Sequence, residues 1–84
     1  MDEAKIEFPC DYPIKVISEN HDSVIKEIEA IARRYDPGLK GVELNKSKNG
    51  TYISVRLDFH ATGTRQLRSM FEDLKALDGV RMVL

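Results

Sequence analysis

The stretch Thr51-Tyr52-Ile53-Ser54-Val55-Arg56-Leu57-Asp58-Phe59-His60-Ala61 decides the architecture of this chain. Ile53, Val55, Leu57, Phe59 and Ala61 take every second position, and Tyr52, Ser54, Arg56, Asp58 and His60 fill the positions between. Side chains alternate across a strand with period two, so one face of this strand belongs to a core and the other is open. A sheet of that kind needs helices on its closed side. The sequence supplies a helical pattern both before and after the strand.

Upstream, Asn49-Gly50 signals a hairpin, because both residues tolerate positive φ. It joins the strand to an earlier one over Val42 to Lys46. Before that, Val24, Ile28, Ile31 and Tyr35 recur at helical spacing, with Ile25 and Ala32 widening the stripe. Asn20 or Asp22 is expected to cap this first helix. Glu29 lies four residues before Arg33, a weakly stabilising pair. Arg33 and Arg34 suit the last turn, and Asp36-Pro37-Gly38 stops the helix. Tyr12 to Glu19 reads as the first strand, with Tyr12, Ile14 and Val16 on one face and Lys15 and Ile17 on the other. Residues 1–11 read as an extended N-terminal segment. Met1 to Lys5 are polar and expected to fray, Pro9 and Pro13 forbid a helix, and Phe8 is expected to pack on the domain edge.

Downstream, Thr62 or Thr64 is expected to cap a second helix. Its buried stripe is Leu67, Met70, Phe71, Leu74 and Leu77, and Asp78-Gly79 ends it. Val80 to Leu84 forms the last strand. The element order is therefore strand, helix, strand, strand, helix, strand. It predicts one α+β domain over residues 1–84, a ferredoxin-like βαββαβ sandwich. Right-handed crossovers give a four-stranded antiparallel sheet in the order 4-1-3-2, with both helices on one face. Glu43, Lys46 and Lys48 blunt the edge at strand two. Strand four carries only Arg81, which makes it the edge better suited to pairing with itself or a partner.

The totals narrow the function classes. Eighty-four residues, 42% hydrophobic, fill one small core. Thirteen basic and 14 acidic side chains leave a net charge of −1, against the basic surface of a nucleic-acid binder. No apolar run approaches the roughly 18 residues of a membrane span. The acidic start Met1-Asp2-Glu3 lacks the plan of a signal peptide. Cys10 is the single cysteine, so no internal disulfide forms. A cytoplasmic protein without membrane attachment is expected.

The Phe8-Pro9…Tyr12…Lys15-Val16 opening, the Asp36-Pro37-Gly38 stop, the Ser47-Lys48-Asn49-Gly50-Thr51-Tyr52 hairpin and the closing Val80-Arg81-Met82-Val83-Leu84 resemble the YbeD family of small bacterial proteins of uncharacterised function. The likeness runs from about Ile6 to Leu84. It implies a fold similar to ACT regulatory domains, which pair sheets or helices between protomers and bind small ligands at the interface. It also implies a link to the regulation of lipoate metabolism. One departure stands out. ACT domains usually bind ligand at a glycine-containing turn after the first strand, and here that turn is Ser18-Glu19-Asn20-His21-Asp22.

No catalytic constellation emerges. Asp58 and His60 share a face and would need His21 or Cys10 to hold a metal, and a surface pair is the plainer reading. Asp11 beside Cys10 does not favour a reactive thiolate, and no histidine is close in sequence. The acylphosphatase phosphate cradle needs an arginine after the first strand, which this chain lacks, and no phosphate loop or nucleophile elbow occurs. Thr62-Gly63-Thr64 offers a generic anion site but reads first as a helix cap. The chain is thus expected to be a non-enzymatic regulatory or binding module without metal or cofactor. Asn20, His21, Asp22 and Ser23 are the candidates for a small-molecule effector. Arg81, Met82, Val83, Leu84, Arg56, His60 and Tyr52 are the candidates for self-association or a protein partner. The alternative is a weak single-stranded RNA binder using Tyr52, Arg56, His60, Lys15 and Arg81 on the open face. There Asp58 would repel phosphate and is expected to pair with Arg56, Lys15 or Arg81.

Overall fold

The computed structural model describes residues 8–84. The expectations for residues 1–7, including fraying at Met1 to Lys5, lie outside the described residues. The elements are β1 (Cys10–Glu19), α1 (Asp22–Tyr35), β2 (Val42–Lys46), β3 (Tyr52–Ala61), α2 (Thr64–Lys75) and β4 (Val80–Val83). The antiparallel sheet has the order β2-β3-β1-β4. This is the expected ferredoxin-like α+β arrangement, with the long strands β1 and β3 at the centre.

The alternation in β3 is complete. Ile53, Val55, Leu57, Phe59 and Ala61 are at most 2% exposed, while the residues between them reach solvent. Opposite them Ile14 and Val16 of β1 are fully buried. From the helices, Ile28, Ile31 and Ala32 of α1 and Leu67, Met70 and Leu74 of α2 close the core. Phe8 packs at its margin, as expected. Phe71, read as part of the buried stripe, is only half-buried and lines a surface groove with Thr64, Arg68 and Glu72. β1 begins at Cys10, two residues before the expected start, because Cys10 and Asp11 pair with Ala61 and His60 at the far end of β3.

Neither helix is capped as its sequence suggests. The N-cap of α1 is His21 and that of α2 is Gly63, and neither makes a side-chain cap bond. Asn20 is engaged elsewhere: its amide donates to the Gly50 carbonyl at 2.9 Å and fastens the β1–α1 turn to the hairpin. In that hairpin only Gly50 takes positive φ, at 74°, and its N–H donates to the Ser47 carbonyl. Asn49 does not need the left-handed region after all. At its C-terminus α2 stops at Lys75, and turns closed by Leu74 and Leu77 carbonyls lead through Asp78-Gly79 into β4.

The β2-facing edge of β3 shows how side chains finish what a short strand leaves open. The even-numbered residues of β3 point their N–H groups toward β2. Asp58 still donates to the Gly41 carbonyl at 3.0 Å. Beyond that point β2 has ended, and the His60 N–H donates to the Asp36 carboxylate at 2.9 Å. The Thr62 N–H donates to Gln66 Oε1 at 2.8 Å, and the Gln66 amide in turn donates to the Tyr35 carbonyl at the end of α1. At this exposed strand end the side chains take the place that water would otherwise fill on the backbone donors. Asp36 and Gln66 thereby tie both helices to one strand end. Nearby, the Tyr35 hydroxyl donates to the Asp73 carboxylate of α2. That hydrogen bond, followed by burial and the Asp73 charge, raises the Tyr35 pKa above its usual 10.0.

Candidate functional site

The helices cover one side of the sheet, so the other side is the surface available for contacts. Strand register orders its side chains into rows. From one end to the other, Asp11 faces His60, Pro13 faces Asp58, Lys15 faces Arg56, Ile17 faces Ser54 and Glu19 faces Tyr52. β2 adds Glu43 beside Arg56 and Asn45 beside Ser54. β4 adds Met82 beside Ile17, and Leu84 exchanges both backbone hydrogen bonds with Lys15.

β4 carries an irregularity with consequences for this face. Ile17 pairs with Met82 but Ser18 pairs with Val80, so Arg81 is an extra residue in a β-bulge. The bulge lets Arg81 turn to the same side as Met82. Its guanidinium lies 6.0 Å from the Tyr52 ring centroid and donates to Glu19 at 2.7 Å. Cation–π attraction and the ion pair together fix Arg81 at this end.

The structure brings some of the candidate partner residues together and separates others. Tyr52, Arg81 and Met82 form one exposed cluster, with Leu84 further along β4. Val83 instead pairs with Val16 and packs against the core. Arg56 sits at the centre of the face. His60 stands at the far end, about 26 Å from Tyr52 at strand rise, where its Nδ1 lies 3.3 Å from Asp11. Asp58, weighed with His60 as a metal pair, is not its ion-pair neighbour; the cross-strand Asp11 is. Cys10 packs on the helix side and His21 lies at the opposite end of β1, so neither joins His60.

Asp58 makes none of the expected pairs with Arg56, Lys15 or Arg81 among the described residues. Its register partner is Pro13, and Arg81 is held by Glu19 at the other end. The Asp58 carboxylate rests over Gly41, where a Cβ would come within 2.8 Å of Oδ2. Asp58 also lines a cavity of about 220 Å³ with Asp11, Tyr12, Pro13, Lys40 and Phe59.

At the β1–α1 turn, His21, Asp22 and Ser23 are exposed, and His21 Nε2 lies 3.7 Å from Glu19. Asn20 serves the turn through its bond to Gly50, so three of the four effector candidates retain free side-chain surface. The sequence reading passed over Gln66 and Asp36, whose structural duties depend on strand ends distant in the chain. It also passed over Leu44, which is 53% exposed on β2. No helix among the described residues is long and apolar enough to cross a membrane.

Comparison with known proteins fits this architecture. The family described as "Protein of unknown function (DUF493)" matches residues 3–84. A UPF0250 protein of Azotobacter vinelandii is 40% identical over 83 residues, covering 95% of this chain and 90% of the relative. A UPF0250 protein of Hahella chejuensis is 39% identical over 82 residues with the same coverage. Among solved structures, protein HP0495 from H. pylori superposes with a TM-score of 0.77 at 26% identity, covering 98% of this chain and 88% of that one. The ACT domain from the GTP pyrophosphokinase of Chlorobium tepidum superposes with a TM-score of 0.72 at 18% identity, covering 89% and 97%. The latter likeness is one of fold. The resemblance to YbeD proteins and the ACT-like fold are both borne out, and the chain belongs to the DUF493 family.

Proposed function

We propose that this chain is a non-catalytic, ACT-like regulatory module that acts by docking on a protein partner through its open sheet face. The observation that carries this reading is the exposure of large apolar side chains on that face: Tyr52, Met82 and Leu84 are 39–58% exposed. Solvated apolar groups set among charges are the composition of a modest interface. The bulge at Arg81 supports the face over the β4 edge, because bulged edges template strand addition poorly. An ACT fold in a nucleotide-metabolising enzyme supports, by analogy of fold, a role in controlling metabolic enzymes. Lipoate metabolism is the pathway that the YbeD likeness suggests. A small-molecule effector, if the module uses one, would meet His21, Asp22 and Ser23 at the β1–α1 turn.

The test is an amide NMR map of the labelled protein, titrated with pooled amino acids and lipoate-pathway metabolites, followed by capture of partners from cell extract. Shifts clustered at Asn20 to Ser23 or along Val80 to Leu84 support an effector-controlled module. A silent titration with specific capture supports a purely protein-docking module. A chain that binds no metabolite, captures no protein and stays monomeric at high concentration sinks the reading.

A further inference from the structure

The centre of the open face holds two cations in the least favourable arrangement that a sheet offers. Lys15 and Arg56 are direct cross-strand partners on the two central strands. Lys15 uses both its N–H and its carbonyl on Leu84 of the β4 side. Its pair with Arg56 is therefore of the non-hydrogen-bonded type, in which side chains stand closest, with Cα atoms about 4.5 Å apart. Like charges directly opposite are destabilising. Glu43, on the other side of Arg56, stands in the wider hydrogen-bonded kind of pair and is not within ion-pair distance. Among the described residues neither Lys15 nor Arg56 has an ion-pair partner.

The surroundings of these cations extend the pattern. Lys15 and Arg56 both line a groove of about 360 Å³ with Glu43, Asn45 and Ser54, and a second of about 330 Å³ with Pro13 and Leu84. They form the ridge between two shallow troughs. The second trough ends at Leu84, 58% exposed at the β4 edge. Leu44 pairs with Val55 and so stands on the helix side of the sheet.

We propose that this face docks an acidic protein segment. Two of its carboxylates seat on Lys15 and Arg56, and an apolar side chain beside them seats on Leu84. The proposal rests on the partner-docking reading above and names the chemistry of the partner. Carboxylates relieve the Lys15–Arg56 repulsion and gain charge-assisted hydrogen bonds, while Leu84 excludes water beside Lys15. A polyphosphate chain fits less well, because each of its successive charges would meet Asp11, Glu19, Glu43 or Asp58 on the same face, whereas a peptide can carry acids only over Lys15 and Arg56 and neutral residues elsewhere. A second copy laid centre to centre would set its own Lys15 and Arg56 against these.

The experiment is a selection of short random peptides displayed on phage against the purified chain. The enriched peptides are then synthesised for fluorescence titration and amide NMR. The expected peptides carry neighbouring Asp or Glu residues flanked by Leu, Ile or Phe, and shift the amides of Arg56, Lys15 and Leu84. The double variant Lys15→Glu with Arg56→Glu, checked for a dispersed amide spectrum, weakens binding by about tenfold or more. Replacing the peptide acids with Lys restores binding to that variant.

Enrichment of peptides without acids, binding indifferent to the double reversal, or shifts confined to another surface would overturn the proposal. So would pyrophosphate or oligothymidylate shifting these same amides more strongly than any acidic peptide. A captured protein that binds the double variant as well as the natural chain leaves the module reading standing and removes this one. If no peptide, metabolite or protein binds at all, both fall together.

Discussion

Leu57 and Arg56 are neighbours in sequence and opposites in environment, and the two faces of β3 repeat that contrast along its length. On the helix side each side chain meets tightly packed neighbours and is sealed from water. On the open side Tyr52, Arg56, Asp58 and His60 answer mainly to register: each meets whatever the adjacent strand sets opposite. One face is therefore constrained by volume and the other by charge. Fold information is concentrated on the first, and the second is free to carry recognition.

Substitutions sharpen that contrast. The largest effect is expected for Leu57→Asp, which buries a carboxylate in the sealed face and costs more than about 4 kcal/mol. Loss of amide dispersion and near-ultraviolet circular dichroism would register it. A folded Leu57→Asp protein would break the comparison outright. Within α2, Met70→Ala is expected to cost about 2–5 kcal/mol. Half-buried Phe71→Ala is expected to cost about 1–2 kcal/mol. Urea unfolding of the two variants separates them, and equal costs would mean that Phe71 is as much core as Met70.

Smaller effects probe the borders. Gln66→Ala removes the acceptor of Thr62 and the donor to Tyr35, and is expected to cost about 1 kcal/mol. Thr64→Ala, lacking any cap bond to lose, is expected within about 0.5 kcal/mol of the natural chain. The reverse ranking in thermal unfolding would reinstate threonine as the cap. On the open face Lys15→Glu is expected to stabilise the domain by about 0.2–1 kcal/mol, since it sets an acid opposite Arg56. A higher urea midpoint with an unchanged slope would show it, and added salt would shrink the gain.

The last effect concerns pH. The Tyr35 phenol is held protonated by its bond to Asp73, so its folded pKa lies above its unfolded value of 10.0. Its contribution to stability is fully present below pH 10 and fades as pH rises through the raised folded pKa. Tyr35→Phe should flatten the stability profile in that alkaline window. An unchanged profile would show that the bond is not maintained in solution.

Several of these features could be read from the sequence, for reasons that are local. Period-two alternation in β3 and the stripe of Val24, Ile28, Ile31 and Tyr35 encode burial directly. Element order with crossover handedness then fixes the sheet order. The caps misled because Asn20, Asp22, Thr62 and Thr64 have the right chemistry for a cap bond, but the N-cap positions fall on His21 and Gly63. Asn20 is taken by Gly50, thirty positions on. The bulge at Arg81 left no trace in composition, because the extra residue is defined only by the pairing of β4 with β1. The Lys15–Arg56 opposition was hidden in the same way. Each cation looks ordinary on its own strand, and only register makes them face one another.

The clasp formed by Asp36 and Gln66 also has a kinetic consequence. The amides of His60 and Thr62 are closed by single side chains, whereas those of Leu57 and Val55 sit within the continuous ladder to β1. A rotamer change frees the former without unfolding anything else. Their protons should therefore exchange with solvent through small local openings, while the middle of β3 waits for the whole domain to open. One strand then holds two clocks, the faster of them set where the two helices are latched to its end.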